Sequence, residues 1–169
     1  MTAELMTTKN SEMAEPAIAP PAPTTLFVCT TCASTWANGQ RVGISGGEKF
    51  FAALQRKYDQ LPEEQRRSLK LESTACMSAC SHACAVSFSA PGKYQYLFGD
   101  LPYEGDDLDA KCDAVFECAA LYDSKADGMM GWGDRPEGMK KGVIARMPPV
   151  PQELLQTLRQ APKTTDDQN

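Results

Sequence analysis

Residues 25–32 read Thr-Leu-Phe-Val-Cys-Thr-Thr-Cys and place a C-x-x-C pair at the end of a short apolar run. An apolar run of this length is typical of a buried strand. Residues 69–75 can form a second strand, which Cys76 ends in the same way. Cys80 and Cys84 continue it at C-x-x-x-C-x-x-x-C spacing. The sequence therefore predicts two strands that each end in a cysteine cluster.

A helix is predicted between these two strands. Ser45-Gly46-Gly47-Glu48 fits a capping box, in which the serine caps the helix and the glutamate reaches back to the serine. Apolar residues then recur at helical spacing, namely Phe50, Phe51, Leu54, Tyr58 and Leu61. Pro62 is expected to stop the helix. A strand, a helix and a strand in this order favour a parallel pair with a right-handed crossover.

The second half of the chain predicts a hairpin and another helix. Cys84 to Ser89 and Tyr94 to Phe98 are strand-like, and Ala90-Pro91-Gly92-Lys93 between them is typical of a turn. Residues 105–122 predict a helix with one apolar face, made of Leu108, Cys112, Val115, Ala119 and Tyr122. The order β-α-β-β-β-α predicts an α/β, thioredoxin-like fold with a mixed four-stranded sheet and a C-terminal extension.

Three segments are expected along the chain. Residues 1–24 are rich in Ala, Thr, Glu and Pro and predict a disordered arm. Residues 25–147 form one thioredoxin-like domain that binds a metal or a cluster. Residues 148–169 hold a Pro-rich connector, a short helix at 152–159 and a loose tail. Within the domain, residues 127–138 predict an irregular loop that folds back over the site.

Charge and composition exclude several classes of protein. The net charge of −5 and the pI near 4.9 argue against a general nucleic-acid binder, which needs a basic face. The sequence contains no run of 18 apolar residues, so we expect no membrane span. The N-terminus lacks a basic region followed by an apolar one, so we expect a cytoplasmic protein. The single histidine, His82, nearly excludes a zinc enzyme with several histidine ligands.

The seven cysteines carry the functional interpretation. An odd number of cysteines, clustered in a chain expected in the cytoplasm, indicates metal binding or redox chemistry rather than disulfide bonds. In a parallel β-α-β unit both strands end at one edge of the sheet, where α/β folds bind ligands. Cys29 and Cys32 should therefore meet Cys76, Cys80 and Cys84. Four thiolates complete a [2Fe–2S] centre or a closed zinc site, and the fifth leaves the assignment open.

Three further sets of residues have competing interpretations. Cys112 and Cys118 are expected in the core, because free cysteine behaves as a small apolar residue. His82 lies inside the second cluster and is a ligand, a hydrogen-bond donor to a sulfur, or a surface residue. Acidic residues crowd the second helix and its approach, namely Asp100, Glu104, Asp106, Asp107, Asp109, Asp113 and Glu117. They form either a solvated face or a docking surface for a basic redox partner.

The residues around the cysteines resemble the thioredoxin-like [2Fe–2S] ferredoxins. The resemblance covers about residues 25–122 and is sharpest in Thr74-Ala75-Cys76-Met77-Ser78-Ala79-Cys80 and the following hairpin. The C-T-T-C pair, the cysteine triplet and the stretch from Trp132 to Pro148 resemble more closely an uncharacterised bacterial family. Members of that family are predicted metal-binding proteins associated with cobalamin-synthesis genes.

The ferredoxin resemblance implies three firm cluster ligands, Cys29, Cys76 and Cys80. Those ferredoxins place the fourth ligand near the start of the first helix, where this chain has Ser45-Gly46-Gly47. Cys32 must therefore substitute, or else Cys84 does. Cys84 should also be close, since it falls where the thioredoxin fold has a proline facing the active loop.

We predict an electron carrier with one [2Fe–2S] cluster and a redox partner protein, and not an enzyme. Two alternatives stay open. One is a zinc- or cobalt-handling protein without redox change, and the other is a thiol–disulfide oxidoreductase that uses Cys29 and Cys32. A homodimer also stays open, whereas nucleic-acid and membrane partners are not expected.

Overall fold

The computed structural model describes residues 23–151, together with Leu154 and Thr157. Its helices are α1 (Gly46–Tyr58), α2 (Glu63–Ser68) and α3 (Leu108–Ser124). Its strands, in chain order, are β1 (Thr24–Cys29), β2 (Thr35–Ala37), β3 (Gln40–Val42), β4 (Leu69–Thr74), β5 (Val86–Ser89), β6 (Gln95–Phe98) and β7 (Val143–Met147). Short 3₁₀ turns cover Cys80–His82 and Glu137–Met139.

One mixed sheet of five strands has the order β4-β1-β5-β6-β7. β1 and β4 are parallel, and β5 and β6 form the expected antiparallel hairpin. The predicted α/β, thioredoxin-like fold is confirmed. The predicted count of four strands is wrong, because β7 adds a fifth strand beside β6. That edge strand is mostly exposed, so it lacks the alternation of apolar and polar residues by which a strand is recognised.

A small hairpin of β2 and β3 stands apart from the main sheet, in a stretch for which the sequence predicts no strand or helix. Its turn is Asn38-Gly39, with φ angles of 53° and 75°. Such a two-residue turn needs positive φ at both positions, which Asn-Gly adopts readily. The Asn-Gly pair was therefore the signal that could have predicted this hairpin.

Several predicted boundaries shift. α1 ends at Tyr58 rather than near Pro62, and α2 follows that proline. Thr24, which we assigned to the N-terminal arm, begins β1, and its buried hydroxyl donates to Asp123 (2.7 Å). The rest of that arm lies outside the described residues. So does the helix predicted at 152–159, apart from Leu154 and Thr157.

The core lies between the sheet and the two long helices, since α1 and α3 contact each other and both contact β1. Strand alternation turns Leu26 and Val28 inward, where both are fully buried. The ring of Phe88 stacks on that of Tyr122 at 5.9 Å, which joins β5 to α3. No helix in the described part of the chain combines the length and apolar character that a membrane crossing needs.

The loop after α3 does not take the expected place over the cysteines. Met130 is buried, and its N–H donates to the Tyr96 hydroxyl (3.1 Å). The Gly138 carbonyl oxygen accepts from Lys111 (2.8 Å). The loop therefore packs against β6 and α3. Its buried residue Met130 packs on Tyr96 and Cys118 and not on the five clustered cysteines.

Candidate metal centre

Two strand ends bring both cysteine clusters to one edge of the sheet. Cys29 ends β1 and lies level with Thr74, which ends the parallel strand β4. The N–H of Thr30 donates to the Thr74 carbonyl oxygen (2.9 Å). The backbone segments of β1 and β4 therefore stay paired as far as the end of the strands. Cys76 follows two residues after β4. The parallel register therefore places the two cysteine-bearing loops side by side.

Three of the five thiols are buried together. The exposed fractions of Cys29, Cys32 and Cys84 are 2%, 1% and 0%. A hydrogen bond between the Cys32 and Cys84 side chains raises the pKa of Cys32 and lowers the pKa of Cys84. Burial raises the pKa of Cys32 further. The backbone of Cys84 pairs with Leu101 in both directions (2.9 and 3.2 Å), and the Ala83–Cys84 peptide bond is cis. The hydrogen bond between the two thiols places the Cys84 side chain against the C-x-x-C loop.

The other two thiols are exposed. Cys76 and Cys80 lie on the connection between β4 and β5. The N–H of Ser78, a residue with a φ of 56°, donates to Cys76 Sγ (3.3 Å). This hydrogen bond, with the nearby Thr31 hydroxyl, lowers the pKa of Cys76. The loop therefore stabilises a thiolate at its surface.

Thr31 connects the buried thiols to the exposed ones. Its hydroxyl oxygen lies 3.7 Å from Cys29 Sγ and donates to the carbonyl oxygen of Ala75. The same hydroxyl contributes to the lowered pKa of Cys76. The sequence alone predicts no role for Thr31. Its position inside the C-x-x-C pair was the one available signal for this role.

The first turn of α1 holds the C-x-x-C loop in place. Ser45 caps the helix by accepting from the Glu48 N–H (3.0 Å), and Glu48 accepts from the Ser45 N–H (2.8 Å). The predicted capping box is thus confirmed. The Ser45 hydroxyl also donates to the Thr30 carbonyl oxygen, and the Gly47 N–H donates to that of Cys32 (2.9 Å). The helix start and the thiol loop form one hydrogen-bonded unit.

The remaining two cysteines belong to the core, as predicted. Cys112 and Cys118 are fully buried in α3. Burial raises the pKa of Cys112 to about 11 and that of Cys118 to about 12. The Cys118 thiol donates to the sulfur of Met130 (3.7 Å). Both side chains are therefore protonated thiols away from the clustered five.

His82 is a half-exposed surface residue with an acidic partner. Its Nδ1 lies 3.1 Å from a carboxylate oxygen of Asp100. The Asp100 N–H also donates to the His82 carbonyl oxygen (2.9 Å). Within the described residues the hydrogen-bond partner of the His82 ring is a carboxylate and not a thiol. Sequence analysis had placed Asp100 only among the acidic residues near α3.

The chemistry of this donor set suits a soft metal or an iron–sulfur cluster. Thiolates bind zinc, copper(I) and iron–sulfur clusters. In residues 23–151, no three or more His, Cys, Asp or Glu side chains already surround a point that would hold a single metal ion. Two of the five thiols, Cys29 and Cys32, come from the end of β1 and the loop after it, and the other three, Cys76, Cys80 and Cys84, from the connection between β4 and β5. Thiols from two loops fit the donor requirement of a [2Fe–2S] cluster, which takes two ligands on each iron.

Comparisons with known proteins found one family and similar solved structures. The family model described as a protein of unknown function (DUF1636) matches residues 26–149. No curated protein matches the chain. A solved thioredoxin-like [2Fe–2S] ferredoxin from Aquifex aeolicus is similar at 17% identity, over 74% of this chain and 93% of that one, with a TM-score of 0.45. A second structure, of a wild-type thioredoxin-like [2Fe–2S] ferredoxin from the same organism, is similar at 19% identity. It matches over 73% of this chain and 98% of that one, with a TM-score of 0.43.

Proposed function

The chain belongs to the DUF1636 family of proteins of unknown function, and we propose that it is an electron carrier with one [2Fe–2S] cluster. The observation that carries this proposal is that five thiols lie on two neighbouring loops, and that the Thr31 hydroxyl contacts Cys29 on one loop and Cys76 on the other. Four of them are the proposed ligands, namely Cys29, Cys32, Cys76 and Cys80. Such a cluster, when bound, supplies one-electron chemistry.

The protein's own residues would control the cluster's surroundings. The buried thiols Cys29 and Cys32 belong to a side that water does not reach. Cys76 and Cys80 belong to the surface side, where a partner can approach. The Ser78 N–H already donates to Cys76 Sγ (3.3 Å). Backbone donors of this kind raise the reduction potential of a cluster.

Burial disfavours the thiol–disulfide alternative. A thiol that attacks a protein disulfide has to be accessible. Cys29 and Cys32 are only 2% and 1% exposed. Zinc binding remains the principal alternative, because it uses the same thiolates. The association with cobalamin-synthesis genes and the cytoplasmic location stay predictions.

Anaerobic purification followed by iron, sulfide and zinc analysis tests the proposal. We expect a brown protein with about two irons and two sulfides per chain, whose visible absorption dithionite bleaches. A colourless protein with stoichiometric zinc would contradict the electron carrier and support the zinc alternative. A colourless, metal-free protein that reduces insulin disulfides would support the oxidoreductase.

The fourth ligand gives a separate prediction. Cys32→Ser is expected to lose most of the iron, because C-x-x-C spacing lets Cys32 and Cys29 bind from one loop. Cys84→Ser is expected to keep the iron, because Cys84 is not one of the four proposed ligands and serine keeps a hydrogen-bonding group beside Cys32. Iron analysis and visible spectra of the two variants check this. Iron lost from Cys84→Ser and kept in Cys32→Ser would assign the position to Cys84.

A further inference from the structure

One face of the main sheet carries a row of residues that are only partly buried. Phe27, Ser87, Leu97 and Ala145 pair with one another across β1, β5, β6 and β7. Paired residues point to the same face of a sheet, and the residues next to them along each strand point to the other face. All four are partly buried. The row therefore marks a face that is less well covered than its opposite.

Both long helices cover the opposite face. The ring of Phe88, which is next to Ser87 in β5, stacks on that of Tyr122 in α3. α1 contacts α3 and therefore lies on the same side. Leu26 and Val28, which flank Phe27 in β1, point to that side and are fully buried. In residues 23–151, neither α1 nor α3 covers the face that carries Phe27.

A groove on this open face runs to the exposed cysteine loop. Its lining is uncharged and mostly apolar, and it consists of Phe27, Thr74, Met77, Ser87, Leu97 and Met147. Met77 directly follows the exposed Cys76 in the chain. Soluble proteins rarely leave a contiguous apolar surface without a partner. A segment that covers the groove is therefore expected.

The chain itself turns onto this face after β7. Val150, three residues beyond the end of that strand, lines a second hollow together with Thr25, Phe27 and Gln95. Phe27 lines both hollows, so the second hollow adjoins the groove. Thr25 begins the outward-facing row of β1, at the end of the strand away from Cys29. The chain thus enters residues 152–161 from a point on the open face.

The sequence of residues 152–161 predicts an amphipathic helix. Apolar residues recur at helical spacing, namely Leu154, Leu155, Leu158 and Ala161. Pro151 precedes the segment and Pro162 follows it, and proline is common at both of these positions around a helix. The two residues of the segment that the structure describes, Leu154 and Thr157, are helical.

The length of this segment matches the length of the groove. Ten helical residues extend over about 15 Å. From Thr25 to Cys29, the strand β1 rises about 13 Å. A helix over residues 152–161 that starts beside Val150 therefore reaches the cysteine end of the sheet.

We propose that residues 152–161 form a helix that lies in the groove, with Leu155 and Leu158 packed against its apolar lining. The far end of this helix then lies beside Met77 and covers the apolar side of the exposed cysteine loop. Leu154 is 50% exposed and belongs at the edge of the contact. This inference does not rest on the proposed electron-carrier function, because the contact needs no bound cluster.

NMR of the full chain with isotope-labelled methionine methyl groups is the first test. Leu155→Ser combined with Leu158→Ser should shift the resonances of Met77 and Met147, because both methionines line the groove. The buried Met130 and Met139 should keep their resonances and so show that the variant is folded. Methionine-to-leucine variants assign the four resonances.

Gln156→Ser combined with Gln160→Ser is the matched control. It places two serines in the same segment, on the side of the predicted helix opposite to Leu155 and Leu158. It should leave the resonances of Met77 and Met147 in place. Equal shifts from the leucine and glutamine pairs, or no shift from the leucine pair, would overturn the proposal. Resonances that move with protein concentration and not with the leucines would assign the groove to a second copy of the chain, which also overturns it.

A double-mutant cycle tests where the segment packs. Leu97→Ala is expected to raise the equilibrium constant of unfolding about tenfold in the wild-type chain, measured by urea denaturation. In the chain that already carries Leu155→Ser and Leu158→Ser it should raise this constant only about threefold, because the contact is already lost. Equal factors in both chains would exclude contact between the segment and Leu97. Neither measurement needs iron, so iron analysis tests the electron carrier separately.

Discussion

Replacing Cys76 with alanine is expected to remove the iron without unfolding the protein. Cys76 is exposed, so the substitution leaves no cavity in the core. It removes a thiolate that the Ser78 N–H and the Thr31 hydroxyl stabilise. Iron per chain and visible absorbance after anaerobic reconstitution should fall by more than about tenfold, since even weaker changes around a metal ligand have effects of that size.

Cys112→Ala is the control for this substitution, because it is expected to lower the stability of the protein and leave its iron content unchanged. Cys112 is fully buried in α3, so its truncation should lower the free energy of unfolding by about 1–3 kcal/mol. It lies outside the proposed site and should keep the full iron content. Retention of iron by Cys76→Ala would exclude Cys76 as a ligand. Loss of iron from both variants would show that iron content follows the stability of the fold.

Gly47→Ala should destabilise the protein and loosen the thiol loop. A β-carbon on Gly47 would overlap the carbonyl oxygen of Cys29 and lie 2.9 Å from the carbonyl carbon of Thr30. These are backbone atoms held by the pairing of β1 with β4, so they cannot move aside as a flexible side chain would. Alanine is otherwise the better helix former by about 1 kcal/mol. The overlap should outweigh that gain, with a net loss of about 1–3 kcal/mol.

Gly133→Ala is the matched control for this overlap. Apart from its chain neighbours, no atom of residues 23–151 lies within 4 Å of a β-carbon at Gly133, and its φ is outside the left-handed region. Its free energy of unfolding should stay within about 0.5 kcal/mol of the wild type. Urea denaturation measures both variants, and iron content reports on the thiol loop. Equal stabilities of the two variants would contradict the close approach of α1 to β1.

The predicted elements differ from the missed ones in their burial. β1 and the β5–β6 hairpin were predicted because their apolar residues face the core. β2 and β3 are fully exposed, β7 is largely exposed, and α2 has no buried residue. Hydrophobic periodicity in the sequence predicts a helix or strand only where one of its faces is buried in the fold. Elements without such a face leave no periodic signal. The available signals were local, namely the Asn38-Gly39 turn for the hairpin and the acidic first turn and basic last turn for α2.

The sequence by itself determined that both cysteine clusters follow strands, and that a capped helix separates them. Parallel pairing of those strands then implied that the clusters meet. Only the tertiary structure decided that Cys29, Cys32 and Cys84 are buried together while Cys76 and Cys80 are exposed. The reason is that this division depends on contacts between distant residues, namely Thr31 with Ala75, Gly47 with Cys32, and Cys84 with Leu101. No local pattern in the chain encodes such contacts.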